Sequence, residues 1–250
     1  MSTLLCIIMV RKAIVMGATS GIGMEVAKCL AERGWQVGIA GRRLERLEAM
    51  KQCHEGIVCS QQIDVTSTDA PVRLLKLIEE LGGMDLYFHS SGIGWQNNTL
   101  DIEKELKTID TNGLGFVRMV DTAYNWFSQR KNEGRIACIT SIAGTKGLGA
   151  APAYSSTKCF QSHYLECLSQ QAHMRHLNIS FTDLRPGFVK TNLIAGSNYP
   201  LQLDAQKVAK SIVKAIEGGR DVKVIDWRYA ILVFFWRLIP RWIWTRMKIG

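Results

Sequence analysis

Proline and low-complexity sequence are scarce in this chain, which has five prolines among 250 residues. Linkers between domains are usually rich in proline, glycine or polar residues, so this scarcity leaves little room for one. Repeats with a period of about 20–50 residues are also missing, which excludes a solenoid or a propeller. The remaining composition is that of an ordinary globular protein, 47% hydrophobic and 21% charged, and the length suits one large α/β domain.

Paired cysteines are a second absence. The seven cysteines include no C-x-x-C pair, their number is odd, and several lie inside apolar stretches. This pattern favours reduced, buried thiols in a reducing compartment such as the cytoplasm over a disulfide framework or a zinc site. His173 and His176 have no acidic or thiolate partner at ligand spacing, so we expect a solvated helix face there and no metal site.

Long apolar runs are a third absence. The run at residues 4–10 is short and has no basic residues before it, unlike a secretory signal, so it either extends the first strand or precedes a translation start at Met9. The apolar run at residues 229–236 has eight residues, whereas a membrane-spanning helix needs about 20. The sequence therefore predicts no transmembrane segment there.

Positive charge is concentrated at the C-terminal end. From Arg220 onward seven basic residues stand against two acidic ones, so this part carries +5 of the net charge of +9. The same part holds four of the seven tryptophans, Trp227, Trp236, Trp242 and Trp244. Aromatic rings mixed with arginine are typical of a membrane interface, but they also fit a helix that packs on the protein or at an oligomer interface. Both alternatives stay open for residues 227–250.

A nucleic-acid partner is suggested only by the pI of about 9.3. The basic residues lie beside tryptophans and outside any recognised nucleic-acid-binding motif. We therefore expect no nucleic-acid partner.

Short apolar strands alternate with helical patterns along the chain. The strands are predicted at residues 13–16, 35–40, 57–63, 85–89, 135–140 and 179–184, and the helices at 24–33, 44–52, 70–81, 102–130 (with an interruption allowed) and 154–176. Such alternation predicts a Rossmann-like, doubly wound parallel sheet with helices on both faces, in a single α/β domain. Sheets of this kind bind ligands at the carboxyl ends of their strands.

A glycine-rich turn lies between the first strand and the first helix, as Gly17-x-x-x-Gly21-x-Gly23. Glycines let backbone N–H groups approach a pyrophosphate, and the N-terminus of the following helix adds a favourable dipole. The alternative, a turn that only packs tightly, is disfavoured by this placement. The sequence therefore predicts a dinucleotide site here.

The end of the second strand distinguishes between the two nicotinamide cofactors. An acidic side chain there would accept hydrogen bonds from a ribose 2′-OH, but Gly41 is followed by Arg42 and Arg43. Arginine forks match a 2′-phosphate, so NADP(H) is favoured, with NAD(H) as the alternative. Arg43 could instead begin the next helix and point to solvent.

Tyr154 and Lys158 stand four residues apart, one turn from each other on a helix. A free tyrosine has a pKa of about 10, and a neighbouring ammonium favours the phenolate and lowers that pKa. The pair could therefore exchange a proton with a carbonyl oxygen. Alone, the same spacing also fits an exposed helix face, so its interpretation depends on the other motifs.

Six motifs occur in one order along the chain: Gly17-x-x-x-Gly21-x-Gly23, Asp64-Val65, Asn112, Ser141, Tyr154-x-x-x-Lys158 and Pro186-Gly187. In this order the chain resembles the short-chain dehydrogenase/reductase family in its single-domain form, over nearly its whole length. The resemblance implies a catalytic domain over residues 1–226. It also implies a homodimer or homotetramer built on the helices that hold Asn112 and Tyr154.

The resemblance also implies a role for each matching residue. Tyr154 is the acid-base group, Lys158 lowers its pKa and holds the nicotinamide ribose, and Ser141 hydrogen-bonds the substrate oxygen. Asn112 anchors a water that links Lys158 to solvent. Asp64 and Val65 contact adenine, and Pro186, Gly187, Val189 and Thr191 hold the nicotinamide amide. The complete cofactor set is Gly17, Thr19, Ser20, Gly21, Ile22, Gly23, Arg42, Arg43, Asp64, Val65, Ser91, Gly92, Tyr154, Lys158, Pro186, Gly187, Val189 and Thr191.

Two positions depart from the family pattern. Met16 stands where the family usually has threonine before the first glycine, and His89-Ser90-Ser91-Gly92 replaces Asn-Asn-Ala-Gly. Either His89 and Ser90 rebuild the lost contact with another hydrogen bond, or Met16 simply packs in the core.

The expected reaction is the NADPH-dependent reduction of a ketone to a secondary alcohol. The reverse oxidation is an alternative, and a catalytically silent nucleotide-binding scaffold is a third, although such proteins usually lose the tyrosine or the lysine. A tail at the membrane would suit an apolar substrate such as a long-chain 3-keto lipid, a polyprenyl-linked keto-sugar or a steroid. Residues 187–205 resemble the family's mobile substrate lid, with apolar side chains at Phe188, Leu193, Ile194, Tyr199 and Leu201.

Overall fold

A computed structural model describes residues 10–130, 133–191 and 199–249. The N-terminal apolar run, apart from Val10, and the lid residues Leu193 and Ile194 lie outside these ranges. Within them the residues fold around one central sheet.

The sheet has seven parallel strands in the order β3-β2-β1-β4-β5-β6-β7. These are β1 (Lys12–Met16), β2 (Gln36–Gly41), β3 (Ile57–Gln62), β4 (Leu86–His89), β5 (Gly134–Ile139), β6 (Ile179–Arg185) and β7 (Val222–Val224). The order reverses between β1 and β4, which places a crevice at the carboxyl ends of these two strands. The predicted doubly wound parallel sheet is confirmed.

Helices cover both faces of the sheet. They are α1 (Gly21–Glu32), α2 (Leu44–Cys53), α3 (Ala70–Glu80), α4 (Ile102–Ile109), α5 (Phe116–Arg130), α6 (Pro152–Met174), α7 (Ala205–Glu217), α8 (Trp227–Leu238) and α9 (Arg241–Trp244). Aspartates begin three of them, because Asp101, Asp204 and Asp226 each accept a hydrogen bond from a backbone N–H of the first turn.

Two cores lie on opposite sides of the sheet, and β1 shows how the sequence divides between them. Ala13 and Val15 pack in the core that includes α1 and α7, whereas Ile14 and Met16 pack in the core that includes α3 and α5. All four side chains are fully buried. Successive side chains of a strand point to opposite faces, so an apolar run without alternation is what a sheet covered on both faces requires.

The long helix predicted at residues 102–130 is interrupted. Between α4 and α5, residues Asp110–Gly115 form a π-helical segment that contains Asn112. Single π-helical turns inside α-helices are often found at functional sites. The interruption of the predicted helix therefore lies at Asn112, which is one of the six ordered motifs of the sequence.

The cysteines of the described ranges are all free. Cys29, Cys59 and Cys138 are buried, as predicted, but Cys53, Cys159 and Cys167 are exposed on helices. The expectation of buried thiols is therefore wrong for these three, which lie on helix faces that point away from the cores. Among the described residues, no helix is long and apolar enough to cross a membrane.

Three hydrogen bonds join the tail to residues 145–147. Trp236 Nε1 donates to Thr145 Oγ1 (2.9 Å), Trp244 Nε1 donates to the carbonyl of Gly147 (2.6 Å), and Lys146 Nζ donates to the carbonyl of Ile239 (2.5 Å). Tyr229 of α8 is buried in the same core as α1 and α7. One side of residues 227–250 therefore packs on the protein, which is the second of the two alternatives for the tail.

Candidate active site

The glycine turn after β1 has a backbone that only glycine adopts without strain. Gly17 has φ +89° and Gly21 has φ +58°, both in the left-handed region. A Cβ on Gly17 would lie 2.7 Å from the Ser91 nitrogen, and one on Gly23 would lie 2.3 Å from the Gly17 oxygen. The three glycines thus bring the turn against the end of β4 and leave an open cradle before α1.

This cradle fits the diphosphate of a dinucleotide. The glycines let the backbone bend tightly, and α1 begins at Gly21 with its N-terminal N–H groups at the same edge of the sheet. Ser20 at the helix start uses its hydroxyl to accept from Arg43 Nη2 (2.7 Å). Thr19 and Ile22 complete the turn, and the Thr19 side chain is buried against Gly41.

The two arginines after β2 lie beside this turn. Arg43 stands at the N-cap of α2, and its Nη2 donates to Thr19 Oγ1 (2.6 Å), so its exposed side chain lies against the glycine turn. Burial, followed by repulsion from Arg46 and Arg42, lowers the pKa of Arg43. Arg42 has an exposed side chain, and its carbonyl accepts from Gln62 Nε2 (2.8 Å). The three guanidinium groups form a positive cluster at the end of β2, where an anion would relieve their repulsion.

Asp64 and Val65 lie after β3, beside the same edge. Asp64 Oδ1 accepts from the Thr66 N–H (3.0 Å) and the Thr66 hydroxyl (2.8 Å), which fixes the carboxylate. Val65 is buried, and a Cβ on Gly115 would lie 2.8 Å from its Cγ2. The position fits the adenine end of a cofactor, since the glycine turn and the arginines are on the neighbouring strands β1 and β2.

Asn112 and Lys158 are joined by hydrogen bonds through Gln161. Lys158 Nζ donates to Gln161 Oε1 (2.9 Å) and to the carbonyl of Ile139 (2.9 Å). Gln161 Nε2 donates to the carbonyl of Asn112 (2.8 Å). Asn112, Lys158 and Gln161 are all buried, with exposed fractions of 0%, 4% and 0%.

The side chain of Asn112 is itself held by the loop after β4. Its Oδ1 accepts from the Ile93 N–H (2.9 Å), and its Nδ2 donates to the carbonyl of Ile93 (2.7 Å). A Cβ on Gly92 would lie 3.3 Å from Asn112 Oδ1 and 3.5 Å from Lys158 Nζ. The end of β4, the π-helical segment and α6 therefore meet at one point.

Ser141 and Tyr154 belong to neighbouring elements of this site, Ser141 directly after β5 and Tyr154 in the first turn of α6. Burial raises the pKa of Tyr154, and the hydrogen bond from Ser141 acts in the opposite direction. The lowering expected from Lys158 is not seen, because the ammonium lies 5.8 Å from the centre of the tyrosine ring and bonds to Ile139 and Gln161. Burial lowers the pKa of Lys158 to about 8, while Cys138 and Asp183 act against this change.

The loop after β6 completes the site from the other side. The carbonyl of Pro186 accepts from the Ile142 N–H (3.1 Å), next to Ser141. A Cβ on Gly21 would lie 3.1 Å from Thr191 Cγ2, so the glycine turn and the loop after β6 touch. Val189 is buried and pairs with Leu203. The structure thus brings all the predicted site residues to the carboxyl edge of one sheet.

The departures at Met16 and His89 have a packing explanation. Met16 is fully buried in the core. His89 is also buried, and its Nδ1 shares a hydrogen bond with the Tyr87 hydroxyl (2.9 Å). Burial, followed by the nearby ammonium of Lys158, lowers the pKa of His89 to about 3. The alternative in which Met16 simply packs in the core is the one favoured by these contacts.

Two residues of the site were missed by sequence reasoning. Gln161 follows Lys158 by three positions, so helical spacing alone could have placed both on one face of α6. Tyr229 lies in the tail, yet its hydroxyl accepts from the Phe188 N–H (3.2 Å) and donates to the carbonyl of Leu201 (3.1 Å). A Cβ on Gly187 would lie 2.3 Å from the Tyr229 ring. No local pattern links these residues, which are about 40 positions apart and meet only in the folded chain.

Comparison with known proteins agrees with this geometry. The sequence model of the family described as short chain dehydrogenase matches residues 11–200. An uncharacterised oxidoreductase from Myxococcus xanthus is 32% identical over 238 residues, which cover 92% of this chain and 93% of that protein. Dehydrogenase/reductase SDR family member 7B from Mus musculus is 27% identical and is matched over 91% of this chain and 77% of its own length.

Two solved structures share the fold. An alcohol dehydrogenase from Thermococcus sibiricus, complexed with 5-hydroxy-NADP, superposes with a TM-score of 0.77 at 21% identity, over 86% of this chain and 96% of that one. An actinorhodin polyketide ketoreductase with NADPH superposes with a TM-score of 0.75 at 24% identity, over 86% and 95%. The chain belongs to the short-chain dehydrogenase/reductase family and is an NAD(P)-dependent oxidoreductase.

Proposed function

We propose that this chain reduces a ketone to a secondary alcohol with NADPH. The observation that supports this most directly is that Ser141, Tyr154 and Lys158 converge after β5. Lys158 Nζ donates to the carbonyl of Ile139, two residues before Ser141, and Tyr154 lies one turn before Lys158 on α6. Two hydroxyl groups in this arrangement suit a carbonyl oxygen that gains negative charge during the reaction.

The reaction divides between cofactor and protein. A bound reduced nicotinamide supplies the hydride for the carbonyl carbon. Tyr154 gives its phenolic proton to the carbonyl oxygen, and Ser141 donates a hydrogen bond to the same oxygen. The raised pKa of Tyr154 keeps the phenol protonated at neutral pH, as a proton donor must be. Lys158 would hold the nicotinamide ribose beside this pair, as the family resemblance implies.

The residues that would hold the cofactor follow five strands, β1, β2, β3, β4 and β6. Gly17, Gly21 and Gly23 would hold the diphosphate, and Asp64 and Val65 would contact adenine. Pro186, Gly187, Val189 and Thr191 would hold the nicotinamide amide, beside Ser91 and Gly92. A 2′-phosphate is favoured over a bare 2′-OH because Arg42, Arg43 and Arg46 form a positive cluster beside the turn.

The substrate is expected to be an apolar or lipid-like ketone. Phe188 and Tyr199 stack with ring centres 4.0 Å apart, and Tyr199 accepts from Gln96 Nε2 (2.9 Å), so aromatic surface lies between the loops after β4 and β6. The prediction of a lid over residues 187–205 rests on the family resemblance. Phe188 and Tyr199 lie within that range. The alternative, oxidation of such an alcohol, uses the same residues with the proton moving from the alcohol to Tyr154.

Tyr154→Phe tests the proposal. In a panel of ketones that includes long-chain 3-keto lipids, followed by NADPH absorbance, we expect this change to lower kcat by about a hundredfold or more. The Kd for NADPH should stay nearly unchanged, since the ring is kept. Retained turnover would show that another group donates the proton. Tight NADPH binding by the wild-type chain without turnover of any ketone or alcohol would instead favour a nucleotide-binding scaffold.

A further inference from the structure

The outer side of the tail is apolar where a surface helix is usually polar. We define the docking face as Trp227, Ile231, Phe234, Phe235 and Leu238 of α8 with Trp242, Ile243, Met247 and Ile249 beyond it. All nine side chains are exposed. Trp227, Phe234, Phe235, Leu238 and Trp242 are the most exposed of them, at 71%, 61%, 62%, 65% and 66%.

Helix α8 already uses a different stripe for packing. Tyr229 and Val233 are buried, and Trp236 is partly buried, at the spacing of one helical face. The opposite side is exposed in the described chain, although its residues are as apolar as the packed stripe. A surface helix that packs one apolar side on its own domain and exposes a second apolar side marks a site of contact with a membrane or with another protein.

The charges around the docking face have one sign. No acidic residue follows Asp226, whereas Arg237, Arg241, Arg246 and Lys248 lie between or beside the apolar positions. Within the described ranges none of these four makes an ion pair, while Arg228 is already paired with Asp226 (2.8 Å). Aromatic rings flanked by unpaired cations suit the headgroup region of an anionic bilayer, where rings sit at the boundary and cations meet phosphate.

A second copy of the chain is a poorer occupant. A two-fold contact brings the same surface of both copies together, so the four unpaired cations of one copy would approach those of the other with no acidic side chain of the tail to balance them. Like charges at an interface oppose association. An anionic lipid surface supplies the missing negative charge.

The docking face continues into a cavity of about 890 Å³. The cavity is lined on one side by the loop at residues 146–150 and on the other by Arg241, Trp244, Met247, Lys248 and Ile249. The loop follows Ser141 in the chain and precedes Tyr154, and it accepts the hydrogen bond from Trp244. A docking face bound to lipid would thus lie next to the loop at residues 146–150, beside the candidate active site.

We propose that the docking face binds the surface of membranes rich in anionic phospholipid, with the aromatic side chains at headgroup depth and the cations on phosphate. This contact is peripheral, and it does not depend on the proposed reduction. It places the cavity and the loop at residues 146–150 next to the bilayer surface.

Vesicle co-sedimentation of the full chain tests this proposal. We expect binding to vesicles of phosphatidylcholine with about a third phosphatidylserine, weak binding to pure phosphatidylcholine, and a loss of binding as salt rises from about 0.1 M to about 1 M. Phe235→Gln/Trp242→Gln and Arg241→Glu/Lys248→Glu should each lower the vesicle-bound to free ratio at least about tenfold.

Matched control variants come from α3 and α2. Val72 and Leu75 of α3 are exposed apolar side chains, and Lys76 of α3 and Lys51 of α2 are exposed cations, so Val72→Gln/Leu75→Gln and Lys51→Glu/Lys76→Glu change the same numbers of apolar and charged groups away from the tail. These variants should bind vesicles like the wild type, and all variants should keep the wild-type melting temperature. Equal binding by the tail and control variants would overturn the proposal, as would no binding to anionic vesicles. Self-association of the wild type that the tail variants lose would assign the face to a second copy.

Discussion

At the scale of single residues, we expect the choice between the two cofactors to depend on Arg42. Its guanidinium is exposed beside the glycine turn, whereas Arg43 is already bonded to Thr19 and Ser20. We expect Arg42→Ala to weaken NADPH binding about tenfold or more, because a charge-assisted hydrogen bond contributes about 1.5–3 kcal/mol, and to leave NADH binding nearly unchanged. Lys51→Ala, at an exposed position in the last turn of α2, is the control. Equal Kd values of the wild type for NADPH and NADH would contradict the assignment.

Gln161 is expected to act as a positioning residue for Lys158. Gln161→Leu removes both of its hydrogen bonds and should lower kcat about tenfold or more with little change in the Kd for NADPH. Gln161→Glu keeps an acceptor for Lys158 and adds a negative charge, which raises the pKa of the ammonium. The pH profile of kcat should then shift to higher pH in the Glu variant. A merely structural role would lower the melting temperature of both variants and leave the profile in place.

The buried ammonium of Lys158 should also be visible in the stability of the protein. Its pKa is about 8 in the folded chain and about 10.4 when unfolded, so between these values the unfolded chain binds more protons. Stability from this group therefore rises with pH in that window, and its burial costs most below pH about 8. Relative to Lys158→Met, the wild-type free energy of unfolding should rise by about 1 kcal/mol per pH unit from about pH 8 to about 10. Parallel stability curves of the two proteins would contradict this.

At the scale of elements, Tyr229 couples the tail helix to the loop after β6. Tyr229→Phe keeps the ring against Gly187 but removes the hydrogen bonds to Phe188 and Leu201. We expect a loss of about 1 kcal/mol in the free energy of unfolding, measured by urea denaturation, because two partly buried hydrogen bonds to the backbone are lost. Phe235→Leu, at an exposed position of the same helix, should change it by less than about 0.5 kcal/mol. Equal effects of the two changes would show that the hydroxyl is not needed.

Most strands and helices were predictable from local patterns. The differences between the predicted and the observed elements have physical causes. The strand predicted at residues 13–16 agrees with β1 to within one residue, because the ends of an apolar run define the ends of a buried strand. Helix α7 and strand β7 were not predicted, although α7 has buried residues such as Val208, Ile212 and Ile216 at helical spacing. Strand β7 has three residues at the edge of the sheet and no apolar pattern, so only its pairing with β6 defines it.

At the scale of the whole molecule, assembly is expected to use the surface of α4 and α6. Leu106 and Phe160 expose 57% and 42% of their surface there, near the helices that the family resemblance assigns to oligomers. We expect the wild type to sediment as a dimer or tetramer and Leu106→Glu/Phe160→Glu to sediment as a monomer, because buried like charges oppose association. Val72→Glu/Leu75→Glu on α3 should leave the assembly intact. A wild-type monomer at all concentrations would contradict the prediction.

The sequence by itself determined the fold class, the family motifs, and the positive, tryptophan-rich character of the tail. Each of these is local, because strand and helix periodicity, glycine spacing and charge can be read within a few residues. The tertiary structure decided which side of α8 faces outward, and it brought Gln161 to the Asn112 carbonyl and Tyr229 to Gly187. It also set the pKa values of Tyr154 and Lys158, since burial outweighs the neighbouring charge that spacing alone suggests. These contacts join residues about 40 or more positions apart, and only the packing of α6 and α8 against the sheet brings them together.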